Sequence, residues 1–554
     1  MRFSSHKAIL AAAAFLLGSG STLVAEPSSQ VRHGDPVLRG LDLERSTIPQ
    51  IQSAMDHGRI SSVLLTAFYL GRIAELNPDL HAVIATSPTA LLEAAFSDVR
   101  RLTHRLRGPM DGIPVLLKDN VDTRILPATA GSEALEHARG RDAFLVQRLR
   151  AAGAVILGKA NLSEWANFRS FLSSSGWTAL GGQTANPYVL DRNPCGSSSG
   201  SGAGIAANLA VVAIGTETDG SIVCPSGANG IVGIKPTLGL ISRSGVVPIS
   251  AEQDTAGPMT RNVTDAAVML SVLTGVDPDD PATAASVGHI QRDYTRFLDR
   301  NALRGKRIGL WREVTGGDPA TDAVFERFVT ALHRAGAVTV DVSLPFQDDV
   351  NNNEFPALLN EFKHDINAYL ARTGGPHPAD LQGLIDFDNA HADTELEFFG
   401  QEIFDLSQTF TGSLDDPDYK VQRATATGAA RRSIDETLAS LHLDAIAAAT
   451  NSPAWVTTLG EGDAFIFGSS GPAAVAGYPN ISVPVGFSGE LPVGVSLFAG
   501  RFQEAKLISL AFAVEQAMHA RRAPKFLPTI GTTLAPPASA ARASSIIKPP
   551  DAIW

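Results

Sequence analysis

Three polar side chains stand where their neighbours look apolar or tightly packed: Lys118, Ser197 and Ser221. The lysine ends GIPVLLKDN (112–120), a run patterned like a buried strand, and an ionised lysine rarely points into a core. The serines lie in two Gly/Ser-rich turns of CGSSSGSGAGIAANLAVVAIGTETDGSIVCPSGANGIVGIKPT (195–237). Small residues at that density let backbone approach backbone, or backbone approach a ligand. A serine hydroxyl is a weak nucleophile until a base takes its proton. No histidine lies in these motifs. A lysine can serve as the base only when neutral, and desolvation lowers its pKa toward that state.

The surrounding pattern shows what would position these groups. The apolar residues after Gly202 predict a short helix reaching about Leu209. Val211–Ile214 and Ile231–Ile234 then read as strands. Ser197 and Ser221 are 24 positions apart, and a crossover of that length can bring its ends side by side. Upstream, Thr47–Leu76 has helical spacing, Leu80–Thr86 reads as a strand, and Thr89–Arg105 as a helix with a basic end. Phe144–Ala152 predicts a helix before the strand Ala154–Leu157, and Ser163 is placed to cap a helix carrying Trp165 and Phe168. Downstream, Asn262–Val276 and Thr321–Ala335 read as helices, and Arg304–Leu310 and Ala337–Val342 as strands. The stretch from Asn351 to about Leu438 is long, helical and polar, a cap beside the core. Asp444–Ala448, Ile481–Val485 and Val493–Phe498 return to strand character, with helices at Ser470–Tyr478 and Glu504–Gln516. Such alternation fits a largely wound α/β sheet.

Composition sets the bounds. With 554 residues, 44% of them hydrophobic, the chain can bury a large core. A net charge of −12 argues against nucleic acid or an anionic membrane as a partner. Two cysteines, Cys195 and Cys224, flank the serine turns; they read as buried thiols, with a disulfide open only in an oxidising compartment. Residues 1–25 read as a secretory signal peptide: Arg2 and Lys7, the apolar Ala8–Leu17, and a cleavage point at Ala25. The expected location is periplasmic or secreted, with no membrane partner once the signal is removed. Residues 529–554, rich in Ala, Pro and Ser, read as a disordered tail.

GIPVLLKDN (112–120), GSSSGSGAG (196–204), GTETDGS (215–221) and GIVGIKPT (230–237) together resemble the amidase signature family. The likeness runs from roughly Thr47 to Pro524. SEWANF (163–168), GGQTANPY (181–188), IGTETDGSIVCP (214–225) and EQDTAGPM (252–259) carry a narrower similarity to bacterial peptide amidases, which remove the C-terminal amide of peptides. The resemblance implies a single-domain α/β fold, a mixed twisted β-sheet surrounded by α-helices. The catalytic domain would span 26–528, with a signature core at about 112–260 and a variable cap at about 286–440. It implies Ser221 as nucleophile, Ser197 as a relay held by a cis peptide bond, and Lys118 as base. Backbone N–H groups of Thr218, Asp219 and Gly220 would form the oxyanion hole. Asn167, Trp177 and Ser198 are candidate substrate contacts. Asp219 stands where the family commonly has glycine, so turn former and substrate contact both remain open for it. No cofactor and no metal are implied, and the oligomeric state is left open.

Rival readings are weaker. Residues 196–200 fit G-x-S-x-G with Ser198 at the centre, the nucleophile elbow of α/β-hydrolases, yet no later histidine sits in a supporting motif. No G-K-[ST] follows the glycines, which removes a phosphate-binding loop. Small aliphatic or aryl amides and esters are the alternative substrates, and an ammonia-channelling transamidase subunit is a further one. A non-catalytic periplasmic binding protein on the same scaffold is the alternative of another class.

Overall fold

The computed structural model describes residues 35–530. The signal peptide read at 1–25 and the tail from 531 onward lie outside the described residues. A short ribbon of β1 (Val37–Leu38) and β2 (Leu41–Asp42) precedes an eleven-stranded mixed sheet. In chain order its strands are β3 (Val83–Thr86), β4 (Pro114–Lys118), β5 (Val155–Ala160), β6 (Val212–Glu217), β7 (Val232–Lys235) and β8 (Thr255–Thr260). They continue as β9 (Arg307–Trp311), β10 (Val338–Val342), β11 (Ala445–Ala449), β12 (Asn480–Ser488) and β13 (Leu491–Phe498). Across the sheet the order is β10-β9-β11-β13-β12-β7-β8-β6-β4-β5-β3.

Two features of this order place the site. β4 and β6 are parallel neighbours, with Leu117 level with Ile214, so both chains leave the sheet at the same edge. Lys118 is the last residue of β4, and the Ser221 turn follows Glu217 at the end of β6. Both strands are buried at every position, as strands covered on both faces must be. The helix Ser199–Ala206 supplies the crossover between the serine turns. Its glycines allow close packing: a Cβ at Gly200 would lie 2.3 Å from the Ala82 carbonyl.

β8 was not foreseen from pattern. It reads TAGPMT, yet it lies centrally, antiparallel to both β6 and β7. Gly257 is required there, because a Cβ would meet the Ile234 carbonyl at 1.9 Å. The helices Val263–Leu273, Pro319–Arg334 and Glu504–Met518 pack against the central strands.

The cap is smaller than expected. β9 and β10 belong to the main sheet, so residues 307–342 are core, and the cap is the helical run from Gln347 to Ser440. It has its own apolar cluster, in which Leu359, Phe362 and Phe404 pack against Trp165 and Phe168. Ser163 does not cap a helix carrying those aromatics. Residues Glu164–Asn167 form one tight turn in which Trp165, Ala166 and Asn167 all have positive φ. The Ser163 hydroxyl accepts instead from the Gly176 N–H at 2.9 Å.

Candidate active site

Lys118 is fully buried and donates to the Ser197 hydroxyl at 2.7 Å and to the Thr216 carbonyl at 3.2 Å. Ser197 in turn donates to the Ser221 hydroxyl at 3.0 Å. The Gly196–Ser197 peptide bond is cis. Only glycine fits at 196, since a Cβ would sit 2.1 Å from the Ser163 hydroxyl. Burial pushes the Lys118 ammonium down to about 7, while the charges of Asp254 and Glu217 pull it part of the way back. No ion pair holds Lys118 among the described residues, so near neutrality a sizeable fraction is the free amine.

The turn 218–221 is fastened from both sides by carboxylates that pattern reading missed. Glu217 accepts from the Ile222 and Val223 N–H groups at 2.7 and 3.0 Å and ties the turn to the helix that follows. Asp254 accepts from the Thr218 hydroxyl at 2.6 Å and from the N–H groups of Ile249 and Ser250. Their only sequence signal is an acid on each side of the serine turn. Gly220, at φ 80°, takes the left-handed position, so Asp219 is not needed for it. The Gly220 N–H faces the Glu217 carboxylate. Asp219 lines the cleft, one of its carboxylate oxygens is buried without a partner among the described residues, and burial beside Glu354 pushes its pKa well up.

The cleft over Ser221 has a volume of about 840 Å³. Phe168, Phe171, Phe355, Leu359 and Phe410 make an apolar wall. Among the described residues, the ionisable side chains lining it are Asp219, Glu354 and Asp463, with no Lys, Arg or His. Asn167 lines it, its Nδ2 donating to Ser175 at 3.2 Å and its Oδ1 buried with no partner among the described residues. Trp177 and Ser198 do not line it. Trp177 packs edge-on against Phe398 and Phe399 and over the buried Arg169 guanidinium. The Ser198 hydroxyl faces the β6 backbone, donating to the Thr216 carbonyl at 3.1 Å. Packing in the one case and a backbone acceptor in the other keep both side chains out of the cleft. Turned inward like this, Ser198 is also no elbow nucleophile. Cys195 and Cys224 are bonded rather than free, with Cα atoms 6.0 Å apart, and Trp455 packs on them.

A buried lysine and two serines in series beside a cleft, on a mixed α/β sheet, are the arrangement that the amidase signature resemblance implies. The family model described as Amidase matches residues 64–508, and the chain belongs to that family. A solved peptide amidase in complex with the competitive inhibitor chymostatin is 49% identical. It aligns with a TM-score of 0.85 over 87% of this chain and 99% of its own. The native peptide amidase of Stenotrophomonas maltophilia is 48% identical, with a TM-score of 0.83 over the same shares. A probable amidase of Arabidopsis thaliana is 40% identical over 497 residues, 88% of this chain and 92% of the relative.

Proposed function

We propose that this amidohydrolase acts on the C-terminal carboxamide of peptides through an acyl-enzyme on Ser221. The observation that carries the reading is the unbroken hydrogen-bond chain Lys118–Ser197–Ser221 ending at the cleft. Ser221 attacks the amide carbon as its proton moves to Ser197 and the Ser197 proton moves to Lys118. The N–H groups of Thr218 and Asp219 stabilise the oxyanion, while that of Gly220 is taken by Glu217. The tetrahedral centre collapses, and the departing nitrogen receives the proton back along the same route and leaves as ammonia. Water then repeats the sequence on the acyl-enzyme and releases the carboxylic acid.

The lining supports an uncharged amide over an acid. A free C-terminal carboxylate would find only acids, Asp219, Glu354 and Asp463, and no cation among the described lining residues to balance its charge. Asn167 Oδ1 can accept from the carboxamide N–H, and the aromatic wall can take the side chains that precede it. Likeness to two peptide amidases supports the same choice.

The test is a panel of peptide amides, small aliphatic and aryl amides, and esters, with products followed by mass spectrometry. Fastest ammonia release from peptide amides is expected. Preference for small amides or esters would overturn the substrate assignment. We also read the chain as exported; the Cys195–Cys224 bond supports an oxidising compartment. N-terminal sequencing of protein from the cell envelope should begin after Ala25.

A further inference from the structure

The helix Ala90–Leu102 is built inside out. Its charged side chains face the body of the protein. Glu93 accepts from the Ile156 N–H at 3.0 Å and pairs with Arg150 at 2.6 Å. Asp98 accepts from the Ser62 and Val63 N–H groups. Arg100 pairs with Asp111 through two bonds, and Arg101 pairs with Asp56. Only Ala90, Ala94 and Ser97 are buried. The apolar side chains point outward instead: Leu92, Phe96 and Val99 are each more than half exposed, Leu102 is 82% exposed, and Leu91 and Leu106 flank them. Six of the fourteen exposed large apolar side chains among the described residues fall in this one stretch. The spacing 92, 96, 99, 102 keeps them on one helical face.

Charge follows the same geometry. RRLTHRLR (100–107) holds five basic residues and no acid, within a chain of net charge −12. Arg100 and Arg101 are spent on internal pairs, while His104, Arg105 and Arg107 are exposed around Leu106 with no ion pair among the described residues. An apolar stripe ending in a basic cluster is the arrangement that seats a helix in the interface of an anionic bilayer. Five side chains on one helix and Leu106 just beyond it fall short of the roughly 20–30 residues a side that a stable protein–protein interface engages. The basic end lies where β4 begins, at the opposite end of that strand from Lys118, so docking there leaves the cleft clear.

We propose that the outer face of the helix Ala90–Leu102, with its basic end, docks the protein on a lipid surface carrying anionic headgroups. The whole-chain charge argues against an anionic partner, but binding at a surface follows the local charge, because screening confines it to about a Debye length.

The test is cosedimentation of the full chain with phosphatidylcholine vesicles, with and without phosphatidylglycerol. Wild type should pellet with the phosphatidylglycerol vesicles and stay in solution with phosphatidylcholine alone. A variant carrying Leu92→Gln, Phe96→Gln, Val99→Gln and Leu102→Gln should stay in solution with both, while hydrolysing soluble amides at the wild-type rate. Arg105→Gln, which disturbs no internal contact, should weaken binding about fivefold, the effect of one arginine near such a surface. The proposal is overturned if wild type pellets with neither vesicle, or if the four-residue variant pellets as wild type does. It is equally overturned if light scattering shows a dimer that the substitutions dissolve while vesicle binding is absent.

Discussion

The disulfide between Cys195 and Cys224 joins the residue two before Ser197 to the residue three after Ser221. It therefore fixes the two serine turns to each other, across the helix and strand that separate them in sequence. Closing a loop of 29 residues contributes roughly 3–4 kcal/mol in the chain-entropy account. Cys195→Ala with Cys224→Ala, or reduction of the wild type, should lower the thermal midpoint by several degrees. Amide turnover should fall with it, as the 3.0 Å Ser197–Ser221 contact loosens. Unchanged melting under reductant would contradict the bond.

Ser221→Ala should lower kcat by about 10⁶-fold, the scale seen when a serine nucleophile is removed. The hydroxyl makes a single side-chain bond, from Ser197, so the fold should persist, with circular dichroism and melting near wild type. Retained turnover would move the nucleophile elsewhere.

Lys118→Met should be nearly as severe for activity and opposite in sign for stability. The folded pKa of Lys118 is lowered to about 7, so the unfolded chain binds the extra proton between about pH 7 and 10. Stability lost to that proton is greatest below pH 7 and is regained as pH rises toward the unfolded value. Removing the amine should raise stability at neutral pH, by up to about 5 kcal/mol from the size of the shift. Urea midpoints at pH 6 and 10 measure this: the gain should be larger at the lower pH.

Asp254→Asn separates Lys118 from its acidic neighbour. Asp254 itself is pushed up to about 6 by burial, so it could counterfeit an acid limb in the rate profile. Its charge raises the Lys118 pKa, so neutralising it should move the limb to lower pH rather than abolish it. Loss of the limb in this variant would assign it to Asp254.

Asn167→Ala tests the cleft contact. An acceptor that meets only substrate should raise KM for peptide amides about tenfold, the value of one hydrogen bond, with little change in melting. An equal effect on esters lacking the N–H would argue against the assigned contact.

The three side chains that meet at the cleft were legible because each interrupts a pattern. Lys118 closes an apolar strand and Ser197 and Ser221 sit between apolar runs, so the letters mark them before any fold is known. The supporting carboxylates were not legible. Glu217 and Asp254 are ordinary acids in sequence, and apart from the Thr218 hydroxyl their partners, at Ile222, Val223, Ile249 and Ser250, are backbone groups that leave no trace in residue type. β8 hid because Gly257 and Pro258 are poor strand formers, tolerated where β7 presses against the glycine. Trp177 misled because an aromatic near a serine motif packs under a buried arginine as readily as it meets substrate.

In the proposed mechanism neutral Lys118, acting through Ser197, activates Ser221. The pH dependence of kcat/KM for a peptide amide tests it most directly, because that ratio follows ionisations of the free enzyme. An acid limb with an apparent pKa near 7 is expected, rising to a plateau as Lys118 loses its proton. A profile flat from about pH 9 down to about pH 5 would show that no amine of this pKa acts as base, and would contradict it.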